Sequence, residues 1–517
     1  MKSYPLNPQL NITNFKQLVA INATAYPEDA AFQFQINKKT ITITYQRFQE
    51  DIQALASYFF QKGLFRNKIA VLGENCYEWV LTYFSVVMSN NIIVPIDKEL
   101  PAEDIGHLLD FSGVELLVYA DPYADIANAM LRDGHVKSIL SMRELPGILE
   151  VPVETEIETD ETSMCAIIFT SGTTGKPKGV MLSQKALIVD AVGACQNVYI
   201  AGSSMLTLPL HHTFAFTAGV LSMLIYRVPI SISRSLRTFA ADMKLFQPQN
   251  MFLVPLYVET MYKNIWKAAK NQGKDKLLKR MIALSNFTRK FGIDLRRKLF
   301  KSVLDNFGGN LTLIVSGGAA IRQEYIDRFE DLGIQILNGY GITECAPVVA
   351  VNRNEDFRAG SIGVPLPCNE VRVIDGELCV RGENVMLGYY KDEASTTKAM
   401  IDGWFHTGDL GHIDEGGFIY ITGRKKNLII LSNGKNISPE MLEEKLLAIS
   451  GVLEAVVSAA EGVITAEIFA GQAEQEHIRE GVMAMNKTLP SYQRIQRVKF
   501  RKQEFEKTTT KKIRRGI

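Results

Sequence analysis

The sequence predicts an α/β protein in three parts. These are a large domain of doubly wound sheets, a small β-barrel-like subdomain from about residue 360, and a small α+β domain at the C-terminal end. Three observations carry this. The chain has 517 residues, too many for one core at roughly 150 residues per domain. Short β-rich runs alternate with helix-length segments over the first two-thirds, the pattern of parallel sheets covered on both faces by helices. The rhythm then changes twice, near residue 360 and near Arg424. The domains are therefore expected at 1–424, the β subdomain included, and 425–517.

In chain order, the strand Ile69–Leu72 is followed by a helix over Tyr77–Met88, Ile92–Ile96 by a helix over Ala102–Asp110, and then comes Leu116–Tyr119. The same rhythm resumes with Met205–Leu208, Pro229–Ile232, Met251–Val254 and Leu311–Val315. Past residue 360 the runs Val371–Ile374, Glu377–Arg381 and Phe418–Ile421 are separated by Asp375-Gly376 and Glu415-Gly416-Gly417, which are hairpin signals. Pro439–Ile449 reads as a helix with Ser438 as N-cap and proline in the first turn. Val452–Ala459 and Val463–Phe469 read as strands, and Gln475–Leu489 as a helix.

The most informative stretch follows the apolar run Met164–Phe169. The ten residues Thr170-Ser171-Gly172-Thr173-Thr174-Gly175-Lys176-Pro177-Lys178-Gly179 include four hydroxyls, three glycines and two lysines. Glycines let a backbone approach a ligand and expose its N–H groups. Hydroxyls add donors, and lysines add point charge. A loop that grips a polyphosphate needs these properties. It is not a Walker loop: counting back from Gly175-Lys176 places Thr170 where glycine is required, and Pro177 follows the lysine.

Five more constellations accompany it. Ile314-Val315-Ser316-Gly317-Gly318-Ala319 is a strand that ends in a glycine turn. Ile336-Leu337-Asn338-Gly339-Tyr340-Gly341-Ile342-Thr343-Glu344 is a second such segment. In it Tyr340 can stack on a purine, Thr343 can bond a phosphate oxygen, and Glu344 can ligate Mg²⁺, a hard cation that takes oxygen ligands. Trp404-Phe405-His406-Thr407-Gly408-Asp409 sets one carboxylate after a Thr-Gly turn, and Thr422-Gly423-Arg424-Lys425-Lys426 follows where the organisation changes. Near the end stands Glu506-Lys507-Thr508-Thr509-Thr510-Lys511-Lys512-Ile513-Arg514-Arg515.

Residues 170–179 resemble the phosphate loop of the adenylate-forming superfamily, which includes acyl-CoA synthetases, peptide-synthetase adenylation domains and firefly-type luciferases. The other segments resemble its later motifs, in the same order, over roughly residues 40–515. The resemblance implies binding of ATP, Mg²⁺ and coenzyme A. It implies adenine at Gly318 and Ala319, a Tyr-Gly-x-Thr-Glu motif over 340–344 preceded by Asn338 and Gly339, and Mg²⁺ on Glu344. It further implies ribose on Asp409 and Arg424, and a hinge at Lys426 about which the C-terminal domain turns as a mobile lid. The closing motif implies a catalytic lysine. Glu506 and Lys511 replace the family's proline and glycine, leaving Lys511 and Lys512 as alternatives, and the following Ile513-x-Arg515 favours Lys512. The lid turn would exchange Lys512 for the loop Ser432–Asn436 at the thiol channel.

Leu208-Pro209-Leu210-His211-His212-Thr213-Phe214 resembles the segment that lines the acyl pocket, with His212 at the usual histidine. From Leu208 to Tyr226 there is no acidic residue, and an unpaired ammonium is costly to bury. An α-amino acid substrate is thus disfavoured. The apolar, small residues from Phe216 to Tyr226 suit an aliphatic chain, although such runs also serve as core. The expectation is an acid–thiol ligase acting on a fatty acid, with coenzyme A as acceptor or, alternatively, an acyl-carrier protein.

Composition bounds the rest. The net charge of +1 gives no indication of nucleic acid. No run reaches the roughly 18 apolar residues of a membrane span, and Met1–Phe15 lacks the apolar core of a signal peptide. The six cysteines are scattered without CxxC or zinc spacing, as expected for buried thiols of a cytoplasmic protein. Between Lys263 and Lys301 thirteen Lys/Arg face only Asp275 and Asp294, with Trp266, Phe287, Phe291 and Phe300 interleaved. That stretch fits a solvated helical hairpin or, as the alternative, peripheral contact with a membrane.

Overall fold

The computed structural model describes residues 6–8, 11–150, 158–170, 177–235, 237–430, 436–460, 463–470, 475–507 and 513. The chain forms two compact units: residues 1–370 with 381–405, and residues 371–380 with 406–517.

The first unit holds two large, mainly parallel sheets. One has seven strands, in the order Gly388–Tyr389, Lys178–Ser183, Met164–Thr170, Ile92–Ile96, Lys68–Leu72, Leu116–Tyr119, Ser138–Ser141. Ile92–Ile96 is buried throughout, as a strand between two helical layers must be. The flanking helix Ala102–Ser112 stops at Gly113, whose φ of 69° is a left-handed cap that glycine adopts without strain.

The other sheet has nine strands. Gln335–Gly341, Leu313–Ser316, Asn250–Leu253, Ser204–Leu206 and Ile230–Ile232 run parallel side by side. Because they are parallel, their C-terminal ends lie along one edge, where open α/β sheets bind ligands. Two strands that the sequence reading left out, Ala30–Ile36 and Lys39–Thr44, complete one side. The first strand of the sequence reading's second series ends at Leu206 rather than Leu208, since Pro209 has no N–H to continue a ladder.

The apolar run after His212 is helical. Thr213–Phe216 is α, Thr217–Leu221 widens to a π turn, and Ser222–Tyr226 is α again. Single π turns are frequent at functional sites.

In the second unit, the strand that begins at Trp404 pairs antiparallel with Ile419–Arg424. Farther on, Val452–Ala460, Val463–Ala470 and Arg497–Arg501 form a three-stranded sheet. The helices Pro439–Leu447 and Gln475–Lys487 cover it through Leu442, Leu446, Ile478 and Val482. Ser438 stands at the N-cap, but its hydroxyl bonds the Glu440 carboxylate instead of the helix backbone. All six cysteines are free; five lie in the first unit, and Cys379 lies in the second.

Candidate active site

The C-terminal edge of the nine-stranded sheet gathers three of the sequence motifs. Leu253 pairs with Ser316, and Ser316 with Asn338, so the chain leaves the sheet at Val254 and Gly317 in adjacent strands, while the third strand parts from its parallel neighbour at Gly339 and runs on against Val348–Val351. Gly318 has a φ of 81°, a conformation in which a side chain is strained. Gly317 is needed for a different reason: a Cβ there would lie 3.0 Å from the Phe214 ring. The segment holding His212 is thus packed directly on the Gly318-Ala319 turn. Asn75 fixes that segment at both ends, donating to the Leu208 carbonyl at 2.8 Å and accepting from the Leu210 N–H at 3.1 Å.

His211 and His212 sit with ring centres 4.1 Å apart. Burial, with Lys98 adding to it, pulls the His211 pKa down to about 4, so this ring is neutral at neutral pH. Its Nε2 lies 3.6 Å from Asp97, long for a hydrogen bond. The Thr207, Thr213, Thr217 and Ser316 hydroxyls are buried without a hydrogen-bond partner among the described residues. Such groups are rare in native proteins unless a ligand or water completes them.

Residues Met205, Leu206, Leu208, Ala215, Gly219 and Phe252, with Ser204 and Thr207, line a narrow, mainly apolar seam. Phe216 does not line it. Its ring stacks on Tyr83 with centres 3.7 Å apart, inside an aromatic core that includes Phe15, Trp79 and Phe84.

Asn338 donates its side-chain amide to the Ser361 carbonyl at 3.1 Å, a loop-holding contact. A Cβ at Gly341 would overlap the Pro347 carbonyl, and one at Gly339 would crowd Val351. Both glycines let the strand carrying Tyr340 run close to Val348–Val351, with Tyr340 opposite Ala350. Thr343 opens the short 3₁₀ turn that carries Glu344.

Glu344 is buried, and Tyr389 donates to it at 2.8 Å. The Lys178 ammonium lies 4.5 Å from the centre of the Tyr389 ring. Tyr389 thereby links the strand leaving the phosphate loop to the carboxylate, a role that sequence reading missed. Burial and the Glu344 charge push the Tyr389 pKa up, keeping its hydroxyl a donor. Thr170 pairs with Lys178 at the open end of the two strands. Ser171, Gly172, Thr173, Thr174, Gly175 and Lys176 lie outside the described residues. One buried carboxylate fits the few protein ligands that Mg²⁺ takes beside substrate phosphates.

The second unit brings Asp409 and Arg424 together. They are paired across the two strands, and the guanidinium meets the buried carboxylate with Nε–Oδ1 at 2.6 Å and Nη2–Oδ2 at 3.3 Å. Sequence reading also missed what holds them. Glu377 accepts from the Gly408 N–H at 2.8 Å and from Lys425 at 2.9 Å, and it contacts His406 Nδ1 at 3.1 Å. It therefore grips the neighbour of Asp409 and the neighbour of Arg424 at once. Burial raises the Glu377 pKa, but Lys425, His406 and the Gly408 N–H outweigh it, and the net shift is downward. The only signal was an acid directly after the Asp375-Gly376 turn. Glu377, Cys379 and His406 have ligand atoms close enough to hold a metal, but the Lys425 ammonium already neutralises the carboxylate.

Lys426 lies in the short 3₁₀ turn Lys425–Asn427. Lys512, Lys511 and the loop 432–435 lie outside the described residues. Lys507 is anchored to Glu454 and Glu504, and it forms an antiparallel bridge with Ile513. No helix among the described residues is long and apolar enough to cross a membrane.

Comparisons with known proteins agree with this geometry. The family model for AMP-binding enzymes matches residues 19–390. The long-chain-fatty-acid–CoA ligase FadD15 of Mycobacterium bovis is 29% identical over 469 residues, covering 83% of this chain and 77% of its own. Among solved structures, o-succinylbenzoate–CoA synthetase of Bacillus subtilis with its acyl-adenylate intermediate has a TM-score of 0.77 at 21% identity, covering 96% of each chain. A fatty acyl-CoA synthetase of Mycobacterium tuberculosis has a TM-score of 0.70 at 21% identity, covering 97% of this chain and 96% of its own.

Proposed function

Since the chain belongs to the AMP-binding enzyme family, we propose that its acid–thiol ligase chemistry serves a fatty acid and coenzyme A. The observation that carries the substrate class is the seam beside Gly219. It is mainly apolar, it includes the unpartnered Thr207 hydroxyl, which suits a carboxylate or its adenylate, and no acid stands between Leu208 and Tyr226 to pair an ammonium. The long-chain-fatty-acid–CoA ligase among the relatives points the same way.

In this reading the acid's carboxylate attacks the α-phosphate of ATP, pyrophosphate leaves, and an acyl-adenylate forms. Thr170–Lys178 hold the phosphates by backbone N–H groups, hydroxyls and lysines. Gly318, Ala319 and Tyr340 hold the adenine, and Asp409 with Arg424 holds the ribose. Glu344 and the Thr343 hydroxyl face the phosphates, with Tyr389 keeping Glu344 in place. Mg²⁺ bound there supplies positive charge against the phosphate oxygens. Lys512 stabilises the same developing charge. His212 adjoins the carboxyl end of the acid. The thiol then attacks the adenylate carbonyl, and AMP leaves. Residues 425–517 act as the lid, Lys426 is its pivot, and the enzyme works in the cytoplasm.

The test is a series of straight-chain acids offered with coenzyme A and acyl-carrier protein in parallel. Each methylene that enters an apolar channel contributes about 0.8 kcal/mol, roughly fourfold in kcat/KM. The rate should climb from short acids and level off between about eight and sixteen carbons, with coenzyme A the better acceptor. A profile that peaks at acetate, an aromatic acid or an amino acid would remove the fatty-acid reading and leave the adenylate chemistry standing. Lys512→Ala should lose adenylate formation yet still convert supplied acyl-adenylate to thioester. Equal loss in both half-reactions overturns that role, and loss in Lys511→Ala instead moves it one residue back.

A further inference from the structure

The helix Asp275–Arg289 has two apolar stripes where folding uses one. Its inner side packs Leu278, Met281 and Ile282 into the core beneath the nine-stranded sheet. Leu277, Leu284 and Phe287 lie on the other side, spaced by seven and three residues, which places them on one face. Phe291 continues that line by four residues into the following turn, and Ile293 follows. These five side chains are 53%, 51%, 58%, 68% and 53% exposed. The Phe287 and Phe291 rings meet edge to face at 5.2 Å, so the turn presents one aromatic knob. Phe300, by contrast, is fully buried, and Trp266 packs against the core, so those two aromatics do not belong to this face.

The charge around the stripe has one sign. Of the thirteen Lys/Arg in this stretch, Arg289 and Arg296 engage Glu330, Arg297 bonds the Leu311 carbonyl, Lys301 engages Asp305, and Lys263 lies near Glu259. Lys274, Lys276, Lys279, Arg280 and Lys290 are exposed around the apolar residues, and Arg280 stands within the stripe itself. Only Asp275 and Asp294 oppose them in sequence.

We propose that this face docks on a lipid bilayer that carries anionic headgroups. Stable surface binding takes two signals, an apolar insertion and a basic patch, and both are here on one helix and its turn. Each Lys or Arg near an anionic surface contributes about fivefold in partition. A second copy of the chain is a poor occupant, because two such faces would bring like charges together. The proposal does not depend on the substrate assigned above.

The full chain is mixed with large vesicles of phosphatidylcholine alone, or with about one-third phosphatidylserine, and sedimented. The expected result is partition onto the anionic vesicles, little onto the neutral ones, and loss of binding as salt shortens the screening length. Leu284→Glu/Phe287→Glu/Phe291→Glu and, separately, Lys276→Glu/Lys279→Glu/Arg280→Glu should each weaken partition by at least about tenfold. Both should keep the far-ultraviolet dichroism and the turnover of a soluble short acid, since every altered side chain is exposed. Three results overturn the proposal: no partition of the unaltered chain, partition that is equal on neutral vesicles and indifferent to salt, or partition unchanged in both variants. A dimer in sedimentation velocity that the aromatic variant dissolves also overturns it, by making a second copy the occupant.

Discussion

The hairpin of Asp409 and Arg424 and the segment from Leu208 to Tyr226 follow opposite rules. The hairpin is a satisfied network: one carboxylate meets one guanidinium twice, and Glu377 ties both flanking strands. The segment is mainly apolar, and its Thr213 and Thr217 hydroxyls have no hydrogen-bond partner among the described residues. In the proposed reading, the satisfied network fixes geometry for the ribose, a ligand part that never varies, and the seam leaves its last contacts to the acid. The two regions should therefore fail differently.

The largest effect is expected at the hairpin. Asp409→Ala removes the buried carboxylate of a charge-assisted two-point contact with Arg424, worth about 3 kcal/mol. The kcat/KM for ATP in pyrophosphate exchange should fall about a hundredfold, while the relative rates of different acids stay unchanged. A shift in acid preference would erase the contrast. Gly219→Trp should do the reverse. A Cβ at that position already lies 3.2 Å from Leu206, so an indole must occupy the seam or displace it. Long acids should lose about tenfold more than short ones, with KM for ATP near its original value.

Glu377→Gln sharpens the comparison because it touches no part of the substrate in the proposed reading. It keeps an acceptor for the Gly408 N–H but loses the charge facing Lys425 and His406. A rise of about tenfold in KM for ATP with little change in kcat is expected. Equal loss at saturating ATP would mean that Glu377 does more than position the hairpin.

The last effect is on stability rather than on catalysis, a pH slope. The His211 pKa is held at about 4 in the fold, against about 6.5 in the unfolded chain. The unfolded state therefore binds the extra proton first. Stability is full above about 6.5 and falls as pH drops towards about 4, by at most about 1.4 kcal/mol per pH unit. Urea titrations of His211→Asn should lack this slope. Glu377, whose pKa is lowered, also loses stability in acid, but at pH values below the ordinary glutamate range. The slope that remains in His211→Asn should therefore lie at lower pH.

Residues that act through local chemistry were legible in the sequence. Glycines at 317, 318 and 341, the carboxylates of Glu344 and Asp409, and the guanidinium of Arg424 stand in short runs whose spacing carries meaning. Partners brought in from afar were not. Tyr389 reaches Glu344 across 45 positions, Glu377 reaches Lys425 across 48, and Asn75 reaches Leu210 across 135. No local pattern encodes such pairs. Phe216 shows the converse error. An apolar run next to a binding motif invites assignment to the ligand, yet helical periodicity turns alternate residues away, and this ring belongs to the core. The strands Ala30–Ile36 and Lys39–Thr44 escaped because the alternation that marks them precedes the first chemical motif.

The six thiols give the molecule a reporter on its own opening. Burial pushes the pKa of each one upward, in Cys379 to about 11, and Cys165, Cys195, Cys345 and Cys379 are buried while Cys76 and Cys368 are half-buried. Since the thiolate is the reactive form, a thiol-specific reagent at neutral pH meets almost nothing to attack at the four buried thiols until a segment opens. Labelling rates then measure opening free energies cysteine by cysteine. Cys379 reads the second unit, and Cys165, Cys195 and Cys345 read the first. A mass-resolved labelling time course would therefore report whether the two units unfold together or one before the other, with no mutation.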